Sequence, residues 1–134
     1  MTILLDGDSM HINKLSGKVI DICYHVHVNL GPGLFESIYE QVLSHEFQKH
    51  GLHFQDQQPI PVYWDNQRMG VGYRADIIVD NRIIIEIKSV EHLAPVHYKQ
   101  LLTYLKLTDI KLGLLINFNE AYFKKGVKRV VNGL

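Results

Sequence analysis

Apolar residues recur at helical spacing near the start of the chain. Leu15, Val19, Ile22, Val26 and Leu30 predict an amphipathic helix over 14–30, with Asn13 as its N-cap. Gly31-Pro32-Gly33 interrupts it. A second helix over 34–50 turns Phe35, Ile38, Val42 and Phe47 inward, and Gly51 sits where a C′ glycine ends a helix. From 52 to 64 the pattern is extended. Pro59 and Pro61 suit an edge strand, because proline has no N–H to give to a ladder. Asp65-Asn66 marks a turn. Two β-prone runs follow, over 69–79 and 82–88, joined at Asp80-Asn81. The second, Ile83-Ile84-Ile85-Glu86-Ile87-Lys88, is almost continuously apolar, which implies burial on both faces. Pro95 opens a third helix over 95–107, with Tyr98, Leu101, Leu102 and Leu105 as its stripe. A buried strand over 112–118 and a short one over 127–131 complete the pattern. The order predicts an α/β fold, a central mixed sheet flanked by helices.

Composition adds limits. With 134 residues, no repeat and no linker, the chain reads as an irregular lead-in over 1–12 and one domain over 13–134. Lys plus Arg balance Asp plus Glu at 14 each, which excludes a uniformly basic coat for nucleic acid but allows a local basic patch. The single cysteine excludes an intrachain disulfide and a Cys-based zinc site, and fits a cytoplasmic protein. Met1 to Met10 lacks the signal-peptide pattern, and no apolar stretch approaches the roughly 20 residues that span a bilayer, so no membrane partner is expected.

Glu86 and Lys88 are out of place in such a strand. They are two residues apart, so both side chains leave the same face, and buried charge is costly unless paired or bound to a cation. Asp76 is a second acid within an apolar run, one strand earlier. Two readings stand on this evidence: a structural ion-pair cluster, or a metal site. Parity separates them. A two-residue loop at Asp80-Asn81 pairs Val79 with Arg82 and sets Asp76 on the face opposite Glu86. A three-residue loop or a bulge pairs Asp76 with Glu86, so the metal reading predicts one of these. Two carboxylates beside a lysine suit phosphodiester hydrolysis. Hard oxygens favour Mg²⁺ or Mn²⁺, and the lysine can orient or deprotonate water.

Asp76 followed by Glu86-Ile87-Lys88 resembles the D…(D/E)xK signature of the PD-(D/E)XK nuclease superfamily, with Ala75 where a proline is usual. Gly33-Leu34-Phe35-Glu36-Ser37-Ile38-Tyr39 resembles the G-x-x-E-x-x-Y motif of a family of small bacterial proteins in that superfamily. Pro95-Val96-His97, Gln100-Leu101-Leu102-Thr103-Tyr104, Leu115-Ile116-Asn117-Phe118 and Lys128-Arg129-Val130-Val131-Asn132 extend the likeness over 13–134. The resemblance implies a restriction-endonuclease-like core (α-βββ-α-β) and a metal-dependent nuclease with a nucleic-acid substrate, DNA more than RNA. It implies that Asp76, Glu86 and the Ile87 carbonyl bind metal and that Lys88 activates water. Glu36 would be a supporting acid or a ligand of a second metal, and Gln100 would position water or phosphate. The alternative is a module that keeps the fold and binds nucleic acid without turnover.

The remaining candidates each have a plainer reading. Glu40 shares a helix face with Glu36 and reads as solvent-facing, and Tyr39 reads as core. Tyr104 either packs or touches DNA. His97 either bonds a site residue or caps its helix. Lys124, Lys125, Lys128 and Arg129 are either a solvated face or phosphate contacts. No histidine pair has the spacing of a helical zinc site. A homodimer would enlarge the surface available to a duplex.

Overall fold

The computed structural model describes residues 10–134. The strand β5 (Ile83–Lys88) is central, as its apolar run requires, and residues 83–87 are buried. It lies in a five-stranded sheet of order β1-β4-β5-β6-β7, formed with β1 (Phe54–Ile60), β4 (Tyr73–Val79), β6 (Leu112–Asn117) and β7 (Val127–Val131). Only β5 and β6 run parallel, and the helix α3 (Pro95–Thr108) makes the crossover between them. The other neighbours are antiparallel. The helices α1 (Ile12–Leu30) and α2 (Glu36–Lys49) cover one face around Val19, Leu43, Ile85 and Leu114. The helix α3 covers the other around Ile84, Leu101, Leu105 and Leu115.

Several local expectations are corrected. The irregular lead-in and the signal-peptide test fall mostly on residues 1–9, outside the described residues. The N-cap of α1 is His11, whose ring accepts the Asn13 N–H, and not Asn13. Asn13 instead accepts a hydrogen bond from Arg129 (3.0 Å). The second helix begins at Glu36, so Phe35 lies before it and is 82% exposed; Ile38 is exposed too. Its inner face is Tyr39, Leu43, Glu46 and Phe47. The extended run over 52–64 is broken at Pro61. Tyr63–Trp64 (β2) pairs with Gln67–Arg68 (β3) in a separate ribbon turned by Asp65-Asn66, both in the left-handed region. A short helix, α4 (Phe123–Gly126), precedes β7 where no helix was expected. Among the described residues no helix is long and apolar enough to cross a membrane.

Two strands change faces at one point. Ile77 and Val79 belong to the core under α1 and α2, yet Ala75 belongs to the core under α3 and the Tyr73 ring meets Tyr104 there. Strict alternation would keep 73, 75, 77 and 79 on one side. The slip falls at Asp76. It coincides with Gln57 on the neighbouring strand, whose φ of 48° is left-handed. The pairing of β1 with β4 is interrupted at the position where the acid stands.

Candidate active site

The loop between β4 and β5 decides the geometry. Val79 pairs with Ile83 and Ile77 with Ile85, so three residues, Asp80 to Arg82, make the turn. Asp80 and Asn81 both take positive φ, conformations that Asp and Asn tolerate better than branched residues. This register sets Asp76 across from Glu86, as the metal reading requires. Their carboxylates interlock with the backbone. The Asp76 N–H donates to Glu86 Oε2 (2.9 Å), and the Ile87 N–H donates to Asp76 Oδ2 (2.8 Å). Each acid thus spends one oxygen on a backbone N–H and keeps the other out of such bonds.

The pair is electrostatically loaded. Burial, and then the Asp76 charge, push the Glu86 carboxyl up to about 8. Burial also raises Asp76, while the Ile87 N–H and the Lys88 charge pull the other way. Lys88 is half-buried at the end of β5 and accepts a main-chain bond from Phe118. Glu36 stands at the first turn of α2. Its Oε2 accepts the Ser89 N–H (3.0 Å), and its charge raises both acids. Ser89 Oγ donates to Leu34 O (2.7 Å), which ties the start of α2 to the end of β5.

Tyr39 explains the spacing from Glu36. Its side chain is fully buried, its hydroxyl donates to Gly31 O (2.6 Å) and the Leu34 N–H donates back to it (3.2 Å). It locks the loop that delivers Glu36. On α3, Tyr104 stands with its ring against Tyr73. Burial, then Glu86 and Asp76, push its phenol up to about 12. Gln100 is half-buried one turn earlier and makes no hydrogen bond to Asp76, Glu86 or Lys88. His97 caps α3, with its Nδ1 accepting the Ala94 N–H (3.0 Å).

The basic run divides. Lys128 pairs with Leu115, which pairs with Glu86, so it stands two strands away in the same row, about 10 Å from the acid. Arg129 is committed to Asn13 and Ser16 on α1. Lys124 borders a groove at the end of α1, and Lys125 lies over the Tyr122 ring.

Three residues were misjudged or missed. Glu40 is half-buried rather than solvated, its Oε1 accepts from Gln57 Nε2 (2.8 Å), and burial and the Asp76 charge raise it. Gln57 also lowers Asp76 through its side-chain amide. Nothing in the local pattern marks Gln57. Ser89 was legible as the polar residue directly after the motif.

Residues 13–130 match the sequence profile of the PD-(D/E)XK nuclease superfamily. The chain belongs to this superfamily. No curated protein and no solved structure matches it. The five-stranded mixed sheet flanked by helices is consistent with the restriction-endonuclease-like fold of these nucleases. Among the described residues no three Asp, Glu, His or Cys side chains converge into a ready-made cation cage. The donors at Asp76 and Glu86 nonetheless suit a divalent cation. They are hard oxygens, only two in number, and mutually repelling, a combination matched by ions that keep several waters.

Proposed function

We propose that this PD-(D/E)XK protein is a metal-dependent nuclease that hydrolyses phosphodiester bonds in nucleic acid, with DNA preferred to RNA. The observation that carries the reading is the interlocked pair Asp76–Glu86, two carboxylates facing each other inside the sheet with a lysine on the same strand. In this reading Asp76, Glu86 and the Ile87 carbonyl hold Mg²⁺ or Mn²⁺, which would supply Lewis-acid polarisation of the phosphate. Lys88 orients or deprotonates the attacking water and offsets charge on the transition state. Glu36 steadies the site through Ser89, and Gln100 positions the substrate. Tyr104 and Lys128 contact the strand. The G-x-x-E-x-x-Y motif at Gly33 to Tyr39 supports a place in a family of small bacterial proteins within the superfamily. The domain over 13–134 acts in the cytoplasm, and a homodimer gives it room for a duplex.

Two measurements test this. Mg²⁺ or Mn²⁺ should raise the melting temperature of the wild type by linkage and should not raise that of Asp76→Ala. Purified wild type should cleave single- or double-stranded DNA in the presence of the cation, and Lys88→Ala should cleave about 10²- to 10⁴-fold more slowly while keeping the thermal shift. Equal inertness of both proteins on every substrate would reject the enzyme.

A further inference from the structure

The ribbon β2–β3 leaves the sheet between β1 and β4 and belongs to neither core. Tyr63 and Trp64 are 58% and 72% exposed. Tyr63 pairs across the ribbon with Arg68, so aromatic and cationic groups sit side by side. The only acid of the ribbon, Asp65, is in its turn. Among the described residues neither Arg68 nor Arg74 has a carboxylate partner within salt-bridge distance. Arg74 donates to the Gln57 carbonyl (3.1 Å), two residues along the chain from Asp76.

This surface approaches the acidic pair along β4, where Arg74 precedes Asp76 by two residues. Arg68, Arg74, Pro59, Pro61 and Tyr73 line a cavity of about 230 Å³ at the base of the ribbon. The Tyr73 and Tyr104 rings meet at 5.4 Å between centroids, which joins the base of the ribbon to α3. The ribbon is also held in place. A side chain at Gly72 would press on the Ile60 carbonyl at 2.8 Å, so the return strand lies tight against β1.

We propose that the ribbon β2–β3 is a stacking platform for an unpaired segment of DNA. Tyr63, beside Arg68, and Trp64, beside Gln67 on the opposite face of the ribbon, each take a base, while Arg68 and Arg74 meet the flanking phosphates and lead the strand along β4 toward Asp76 and Glu86. Charge complementarity selects this occupant. A polyanion with apolar base faces matches exposed aromatic rings beside arginines that lack acidic partners. The platform answers a difficulty of the site itself, because Asp76, Glu86, Glu36 and Glu40 repel phosphate. Stacking holds the strand without relying on charge at the acids. The strand's destination rests on the nuclease reading, but its binding does not.

Trp64 is the only tryptophan in the chain, so its emission reports on the ribbon directly. Full-length protein is titrated with a single-stranded oligodeoxynucleotide of about 16 nucleotides in the presence of EDTA, with a blunt duplex of the same sequence as control. The single strand should quench Trp64 and bind more tightly than the duplex. Trp64→Ala should weaken binding about 5- to 150-fold by anisotropy of the labelled strand, the worth of one base–aromatic stack. Trp64→Phe should keep most of the affinity, and both variants should melt with the wild type. Wild-type affinity in Trp64→Ala overturns the platform, as does a preference for the duplex without quenching. Emission that changes with protein concentration alone, with dimerisation lost in Trp64→Ala, would assign the ribbon to a second copy. Because cation and turnover are absent, failure here is distinct from failure of the nuclease.

Discussion

Glu86 condenses the energetics of the site into one side chain. Its carboxyl titrates near 4.5 when exposed and is pushed up to about 8 in the fold. Between those values the folded chain holds more protons than the unfolded chain, so this group costs stability as pH rises through the window. Asp76 is shifted in the same direction. The metal-free protein should therefore lose melting temperature from about pH 5 to pH 8, and Glu86→Gln should flatten that decline and melt higher at pH 8. A cation bound in place of the proton on Glu86 should stabilise more strongly as pH rises toward 8, because ligation requires the carboxylates ionised. A melting temperature independent of pH in both proteins would mean that Glu86 is ionised throughout.

At the scale of elements, the hairpin β4–β5 carries the site. Its register is set by three turn residues, two of them left-handed. A branched side chain cannot take that conformation cheaply, so Asn81→Val should cost about 1–2 kcal/mol in denaturant melts, and Asn81→Gly should cost little. If both substitutions melt like the wild type, the turn does not enforce the register. The tie between Ser89 and Leu34, the Tyr39 lock and the α3 crossover all converge on the same end of β5. Three separate elements thus position groups around one pair of acids.

The whole molecule is electrically neutral, and its candidate site is acidic. Binding of nucleic acid must come from a few local cations, namely Lys88, Lys128, Arg68 and Arg74. A single strand neutralised at about four phosphates gives a slope of about −3 in log affinity against log salt. A much steeper slope would bring in Lys124 and Lys125, which lie by α1 and not by the acids.

Much of this was readable in the chain. The apolar run of β5 and the stripe of α3 each follow from a periodicity, and burial obeys it because water is excluded from one face or from both. Asp76, Glu86 and Lys88 were visible as charges where charge is costly, and the parity of the hairpin stated in advance what geometry would unite them. The errors fall where position along the chain does not fix surroundings. Phe35 reads as core by its spacing, but it precedes the helix and never enters it. Glu40 reads as solvated, but Gln57 meets it from a strand 17 residues away. The sequence by itself determined the three long helices, the main strands, the central place of β5 and the identity of the acids, since each rests on local periodicity or on the cost of burying charge. Only the tertiary structure decided that the loop spans three residues, that Asp76 and Glu86 grip each other's strands, and that Gln57, Ser89 and Glu36 meet around them. Those facts depend on register and on contacts between distant segments, which no local pattern encodes.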